Sequence, residues 1–256
     1  MLDIIVATKN TPTLFNKWYD YVKRNTSIPY RIYVTDNSTT DDIKNGLHGK
    51  TLDYTREPFN GLSKAINGVA NKGSNPFIAI INSDCFVPQN WSEKMINYIG
   101  LKDLGVITST DSRNVNNNVH KYLPYKDITE ETFEKTALDL QERYITQEKV
   151  YAYEVEDYIK TNITGGERQD CSPATGNACF IVKRSVFEDV GGFDEEFGLY
   201  YEDIDFLGRI NKKYKVGLAY DVLVYHVGSV TVKQEGFDEN WRYKSGVAFG
   251  KRWSNG

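Results

Sequence analysis

The chain has 256 residues, of which 40% are hydrophobic, and a formal net charge of −4. This length fits one large α/β domain, and the acidic balance argues against a protein that binds nucleic acid through a broad basic face. Three cysteines without a repeated spacing argue against a disulfide framework and favour a reducing, cytoplasmic setting; we expect neither a signal peptide nor an apolar run of about 18 residues that would span a bilayer.

Strand and helix patterns alternate through residues 1–110. Short apolar runs predict strands at residues 2–7, 30–35, 51–55, 77–81 and 104–108. Apolar residues at helical spacing predict the intervening helices, most clearly at Leu62, Ala65, Ile66, Val69 and Ala70. This alternation is typical of an α/β fold with a mostly parallel central sheet and helices on both faces.

Residues 111–170 break this pattern. The segment is rich in Asn, Glu, Lys and Tyr, and we expect a charged helix between residues 129 and 159. It is interpreted either as a solvated helical insertion or as a lid that contacts a substrate. The α/β pattern then resumes, with predicted strands at 178–182, 216–220 and 222–227 and predicted helices at 184–190, 201–213 and 240–253.

Polar clusters follow three of the predicted strands, at residues 8–10, 36–38 and 82–84. Because ligands of parallel sheets lie beyond the carboxyl ends of the strands, we expect a binding site at this edge. Asp84 is a candidate metal ligand, since phosphate-bound Mg²⁺ or Mn²⁺ takes only one or two carboxylates from the protein. The alternative is that Asp84 only caps a turn.

Three carboxylates open a predicted helix at Glu202, Asp203 and Asp205. Acidic residues stabilise helix N-termini through the dipole, so a structural role is one interpretation. The other is that one of them is a general base. His226 ends an apolar strand and could pair with Asp84 as a metal ligand, or could be a packing residue.

The order of these motifs resembles that of the inverting glycosyltransferases of family 2, which have the GT-A fold, and especially the rhamnosyltransferase-like members. The resemblance covers about residues 2–110 and 172–232. Ile81-Asn82-Ser83-Asp84 matches the metal-binding D-x-D position of the family, with Asn82 in place of the first Asp. The family's G-G-F-D-E motif is similar to Gly191-Gly192-Phe193-Asp194-Glu195. Its E-D-x-D-x-x-x-R motif is similar to the segment that begins Tyr201-Glu202-Asp203-Ile204-Asp205 and includes Arg209. Its strand that ends in a metal-ligating His is similar to Val224-Tyr225-His226.

The resemblance implies a role for each motif residue. Asp203 is implied as the catalytic base, with Glu202 as the rival assignment, and Asp84 and His226 as ligands of Mn²⁺ or Mg²⁺. Glu202 is also placed in an acceptor and sugar pocket with Gly176 and Asn177. The implied nucleotide and donor contacts are Thr8, Asn10, Asp36, Asn60, Gly61, Lys64, Asn82, Ser83 and Asp84.

The implied domain is a single GT-A unit over residues 1–256. It would comprise a nucleotide-binding half (1–110), the helical insertion (111–170), an acceptor and catalytic half (171–235) and a C-terminal helix (236–256). The implied donor is a UDP- or dTDP-sugar, and the implied acceptor is a glycan or glycolipid of polysaccharide or glycoconjugate synthesis. No nucleic acid partner is expected, and the oligomeric state is not assigned.

Alternatives remain open from the residues alone. A sugar-phosphate nucleotidyltransferase shares the sheet and the metal, but the loop after the first strand lacks its glycines. A non-catalytic carbohydrate-binding protein could use the same fold. A covalent route would need a second carboxylate, such as Asp194 or Asp205. The basic C-terminal helix, with Lys244, Lys251 and Arg252, is either solvated or in peripheral contact with anionic lipids at the inner membrane face.

Overall fold

The computed structural model describes residues 1–112, 128–143, 150–155, 159, 178–228 and 239–254. The strands within these ranges are β1 (Leu2–Thr8), β2 (Tyr30–Asp36), β3 (Asp53–Arg56), β4 (Phe77–Ile81), β5 (Cys85–Phe86), β6 (Leu104–Asp111), β7 (Val150–Tyr153), β8 (Cys179–Lys183) and β9 (Lys215–His226). The helices are α1 (Pro12–Asn25), α2 (Asp42–Asn45), α3 (Leu62–Ala70), α4 (Trp91–Lys102), α5 (Phe133–Arg143), α6 (Arg184–Asp189), α7 (Glu202–Asn211) and α8 (Glu239–Trp253).

The strands form one mixed sheet in the order β3-β2-β1-β4-β8-β6-β9-β5, with β7 also paired to β9. Strands β3, β2, β1 and β4 are parallel to one another, and β6 is parallel to β9. Strand β8 is antiparallel to both of its neighbours, β4 and β6. The predicted α/β class is therefore confirmed.

Some predicted elements were wrong in extent. The two strands predicted on either side of Asp221 are one strand, β9. Asp221 does not interrupt it, because its buried carboxylate accepts hydrogen bonds from Lys94 and Tyr98. The helix predicted between residues 129 and 159 is the shorter α5, followed by strand β7, whose pairing partner β9 lies far away in the sequence.

The sheet is buried on both faces, which explains its continuous apolar strands. Successive residues of a strand point to opposite faces, so Ile4 and Val6 join one core cluster while Ile5 joins the other. Helices α1, α4 and α5 cover the first face, through residues such as Trp18 and Trp91, and helices α3, α6 and α7 cover the second.

Helix α5 belongs to the segment for which two interpretations were open. Its apolar residues Phe133, Ala137 and Leu140 are buried. Lys17 of α1 pairs with Glu130, and Arg24 of α1 pairs with Glu134. The described part of this segment is therefore packed on the core beside α1, and is not a helix solvated on all sides.

Two glycines bring the start of α3 against the loop that precedes α7. Gly61 has a φ of 98°, and a Cβ added to it would lie 3.0 Å from the Cα of Gly198. The Leu62 amide donates to the Gly198 carbonyl at 2.6 Å. A Cβ on Gly198 would meet the ring of Trp241 from α8, so this close approach requires glycine at position 198.

A buried ionic network fixes α8 to α7. Asp205 is fully buried, and its Oδ2 accepts from Arg209 Nε at 2.8 Å. Its Oδ1 accepts from Arg252 Nη1 at 3.0 Å and from Trp253 Nε1 at 3.2 Å. Arg252 also pairs with Asp194. Arg252 is thus engaged by carboxylates of the protein itself. No helix in the described ranges is both long and apolar enough to cross a membrane.

We expect Asp205→Ala to lower the free energy of unfolding by about 3 kcal/mol, because it leaves two arginines without their buried counter-charge. Urea denaturation followed by tryptophan fluorescence measures the change. Asp189→Ala is the matched control: Asp189 pairs with the exposed Lys213, and because solvent screens such a surface pair, its loss should change the free energy of unfolding little. Equal losses in the two variants would show that the network does not stabilise the fold.

Candidate functional site

Strand β3, which is parallel to β2, and five further strands end at the same edge of the sheet. Strands β1, β2 and β4 are mutually parallel, and β6 and β9 run in the same direction because two antiparallel steps through β8 restore it. The residues at or just after these five ends are Thr8, Asp36, Asn82 to Asp84, Asp111 and His226. The predicted convergence of polar strand ends is therefore present, and β6 adds a carboxylate to it.

The loops after β1 and β2 are joined by hydrogen bonds. The Asn10 amide donates to Ser38 Oγ at 2.7 Å, and the Thr39 amide donates to Asn10 Oδ1 at 2.9 Å. Asn10 adopts a φ of 52°, a left-handed conformation that Asn tolerates better than most residues. Thr8 is buried, with its hydroxyl 3.3 Å from that of Thr11. The two loops thus form one preorganised unit.

Asp36 lies at the centre of this unit. It is fully buried; its Oδ1 accepts from the Ser38 amide at 2.9 Å, and its Oδ2 accepts from the Tyr54 hydroxyl at 2.6 Å. Burial raises the pKa of Tyr54, and the hydrogen bond to Asp36 raises it further, so the phenol stays a donor. The carboxylate organises the loop, and its contact with a nucleotide stays a prediction.

The predicted donor contacts Asn60, Gly61 and Lys64 lie at the start of α3. Asn60 and Lys64 are exposed, and Gly61 is buried against Gly198. Exposure leaves both side chains accessible to a ligand at this edge.

Asp84 and His226 come together as predicted. Asp84 follows β4 in a turn closed by a hydrogen bond from the Cys85 amide to the Asn82 carbonyl, and Ser83 is buried within it. The Asp84 carbonyl accepts from the Val227 amide at 3.0 Å, which ties the turn to the end of β9. His226 Nε2 lies 3.2 Å from Asp84 Oδ1.

Asp111, which the sequence analysis did not single out, holds the other side of the same imidazole. Its Oδ2 lies 2.7 Å from His226 Nδ1, and its side chain is 2% exposed. The signal was present in the sequence, because the apolar run of β6 ends in Ser109-Thr110-Asp111 just as the other strands end in polar residues.

The electrostatics of this cluster favour a bound cation. Burial alone would lower the pKa of His226, but the hydrogen bonds and charges of Asp111 and Asp84 outweigh burial and raise that pKa to about 9. Two carboxylates flank this imidazole, the buried Asp111 and the partly exposed Asp84, and they leave an excess of negative charge that a divalent ion would neutralise.

The donor atoms fit Mn²⁺ or Mg²⁺. Carboxylate oxygen is a suitable ligand for Mn²⁺ and Mg²⁺ and imidazole nitrogen is a common metal ligand, and Asp84 Oδ1 and His226 Nε2, which lie 3.2 Å apart, are the two atoms that would hold the ion. No group of three or more His, Cys, Asp or Glu side chains forms a metal cage in the part of the chain that is described. The remaining ligands would come from phosphate and water, as is usual for such ions.

Glu202 and Asp203 form the first turn of α7, after Tyr200 and Tyr201, which have φ values of 69° and 67°. Burial and the charge of Asp203 raise the pKa of Glu202 to about 8, and its Oε2 is buried without a hydrogen-bond partner among the described residues. Asp203 Oδ1 accepts from the Ile204 amide at 2.8 Å. Gly176 and Asn177, predicted for the same pocket, lie outside the described residues.

Comparison with known proteins identifies related sequences and folds. The sequence profile described as Glycosyl transferase family 2 matches residues 3–191. The chain is 24% identical over 238 residues to the O-antigen chain rhamnosyltransferase WbaN of Salmonella anatum. This alignment covers 91% of this chain and 68% of the relative.

Two solved structures share the fold. Mannosyltransferase PcManGT from Pyrobaculum calidifontis, in complex with GDP-Man and Mn²⁺, aligns with a TM-score of 0.59 and 15% identity over 95% of this chain and 60% of that protein. S. aureus TarS 1–349, in complex with UDP-GlcNAc, aligns with a TM-score of 0.58 and 14% identity over 88% of this chain and 57% of that protein. The chain therefore spans less than two thirds of either solved protein.

The profile match covers well over half of the chain and includes the ends of β1, β2, β4 and β6. The fold agrees with it independently, since both solved structures have a GT-A-like sheet arrangement similar to this one. The chain belongs to glycosyl transferase family 2 and has the GT-A fold.

Proposed function

We propose that the chain transfers a sugar, with inversion, from a UDP- or dTDP-sugar to an acceptor hydroxyl in polysaccharide or glycoconjugate synthesis. The observation that carries the proposal is the contact between Asp84 and His226, which come from distant parts of the chain and meet at the ligand-binding edge of the sheet. A purely structural role for His226 does not explain why its ring lies between two carboxylates, those of Asp84 and Asp111, at this edge.

Asp84 and His226 would hold Mn²⁺ or Mg²⁺ together with the donor diphosphate. When bound, the ion supplies positive charge that neutralises the departing nucleoside diphosphate. The Mn²⁺ in the PcManGT complex supports this cofactor class.

Asp203 is the proposed base. With a pKa of about 8, Glu202 is largely protonated near pH 7, and a protonated carboxyl donates a hydrogen bond instead of removing a proton. Asp203 takes the proton of the acceptor hydroxyl while that oxygen bonds to the anomeric carbon. The bond from that carbon to the phosphate oxygen breaks, and its electron pair leaves with the nucleoside diphosphate.

A single displacement of this kind inverts the anomeric configuration. The covalent alternative needs a carboxylate that is available as a nucleophile. Asp205 is fully buried between Arg209 and Arg252, and Asp194 is paired with Arg252. Their engagement in this network supports the direct route.

The partners are proposed at the level of chemical class. The UDP-GlcNAc in the TarS complex and the Asp36 motif support a uridine or thymidine nucleotide, and the O-antigen role printed for WbaN supports a glycan or glycolipid acceptor. Peripheral contact with the inner membrane face would use Lys244 and Lys251, because Arg252 is engaged inside the protein.

The nucleotide requirement is tested by thermal unfolding with UDP, dTDP, GDP, ADP or CMP, each with and without Mn²⁺. Ligand at about one hundred times its dissociation constant adds roughly 2.7 kcal/mol of stability, which should raise Tm by about 5–11 °C, at about 2–4 °C per kcal/mol for a chain of this size. We expect the largest rise with UDP or dTDP, and only with Mn²⁺. A rise of equal size without metal would contradict the metal site, and no rise with any nucleotide would contradict the proposed function.

The base assignment predicts that Asp203→Asn lowers kcat by about 10²- to 10⁴-fold, because general base catalysis contributes a factor of that size. UDP binding, measured by calorimetry, should stay within twofold of wild type. Asp189→Asn is the control, since Asp189 pairs on the surface with Lys213. Retention of wild-type kcat by Asp203→Asn would exclude this residue as the base.

The raised pKa of Glu202 predicts a pH-dependent effect on stability. The native carboxyl holds its proton up to about pH 8, whereas the unfolded one releases it near 4.5, so wild-type stability falls as pH rises between these values. Glu202→Gln removes this loss. Thermal unfolding should therefore show that the Tm of Glu202→Gln rises relative to the wild-type Tm as the pH increases from 5 to 8.5.

The matched control for this series is Glu188→Gln, because Glu188 is an exposed residue of α6. Its Tm difference should stay small at all pH values. A Glu202→Gln difference that is flat with pH would show that the native carboxyl is ionised.

A further inference from the structure

We propose that Asp111 is a positioning residue that fixes the tautomer and the orientation of His226 for metal binding. This inference rests on the proposed function, since it concerns how His226 becomes a ligand. Asp111 contacts Nδ1, whereas Asp84 faces Nε2 on the opposite side of the ring, and the described residues form no group of three metal ligands, so we assign Asp111 to positioning and not to ligation.

The contact is short and buried. Asp111 Oδ2 lies 2.7 Å from His226 Nδ1, and the two side chains are 2% and 5% exposed. The backbone of His226 is held from the same segment, because its amide donates to Ser112 Oγ at 3.0 Å. Two consecutive residues at the end of β6 therefore fix both the main chain and the ring of His226.

The hydrogen bond determines which ring nitrogen carries the proton. An ionised carboxylate can only accept, so Nδ1 must donate. In the neutral imidazole the lone pair is then left on Nε2, the atom that faces Asp84. Histidine ligands are commonly oriented by a carboxylate on their other nitrogen, and loss of that partner costs about 10- to 100-fold in metal affinity.

A bulge in β9 is what brings the two residues together. Ser109 pairs with Ala219, but the next residue, Thr110, pairs with Leu223, and Asp111 pairs with Val224. In unshifted pairing Asp111 would lie opposite Asp221, five residues before His226. At roughly 3.3 Å per residue, the side chains of Asp111 and His226 would then be about 16 Å apart along the strand and on opposite faces of the sheet.

Side chains on both strands maintain the bulge. Thr110 Oγ1 donates to the carbonyls of Ala219 and Tyr220, at 3.1 and 3.3 Å. Lys94 and Tyr98 hold the buried Asp221 within the bulged segment. A bulge that re-aims a side chain beside a functional site is a common use of this irregularity, and here it places His226 within reach of Asp111.

The first test is the dissociation constant of Mn²⁺, measured by electron paramagnetic resonance with UDP present, for wild type, Asp111→Asn and His226→Ala. We expect at least a tenfold weaker constant for Asp111→Asn. Asp3→Asn is the matched control: Asp3 is a buried carboxylate on β1, bonded to Arg184 and Asn75, and its replacement should leave Mn²⁺ binding unchanged.

The outcomes separate the inference from the proposed function. If His226→Ala binds Mn²⁺ as wild type does, the metal site itself is wrong and the role of Asp111 falls with it. If His226→Ala loses affinity while Asp111→Asn stays within twofold of wild type, only the positioning role is overturned.

A second readout needs no variant to fold. The chain has three histidines, so ¹⁵N NMR of histidine-labelled wild-type protein resolves each ring. With Zn²⁺ and UDP bound, we expect His226 to carry its proton on Nδ1 and to bind metal through Nε2. A proton on Nε2 would overturn the inference, because Asp111 would then not set the tautomer.

Discussion

The common direction of β1, β2, β4, β6 and β9 is the constraint on which the site depends. Side chains at five strand ends can share one edge only if all five strands point the same way. Strand β8 runs against its two neighbours, yet it preserves the direction across the sheet because it reverses it twice. Residues that are far apart in sequence, such as Asp84 and His226, thereby meet.

The chemistry of the site follows from how buried charge is balanced. Asp84, Asp111, Glu202 and Asp203 place four carboxyl groups at or near this edge. The imidazole of His226 offsets part of that charge, and the raised pKa of Glu202 removes another part by protonation. The carboxylates that remain ionised create a negative potential, which a divalent cation bound with phosphate ligands would neutralise.

The C-terminal helix α8 packs against α7 and the loop that precedes it. Its Trp241 packs on Gly198, and its Arg252 and Trp253 hold Asp205, one turn along α7 from Glu202. Gly198 also contacts Gly61 at the start of α3. Helix α8 therefore supports the loop that leads into Glu202 and Asp203, and the start of α3 packs against the same loop.

The sequence by itself determined the α/β class, most strand positions and the pairing of Asp84 with His226, because these depend on local periodicity and on the rule that polar strand ends share an edge. Only the tertiary structure decided the rest. The contact between Asp111 and His226 depends on the register that the bulge in β9 sets against β6. The ion pairs of Asp205 with Arg209 and Arg252 distinguish this buried residue from Glu202 and Asp203. Register shifts and long-range ion pairs depend on partners distant in sequence, so no local pattern encodes them.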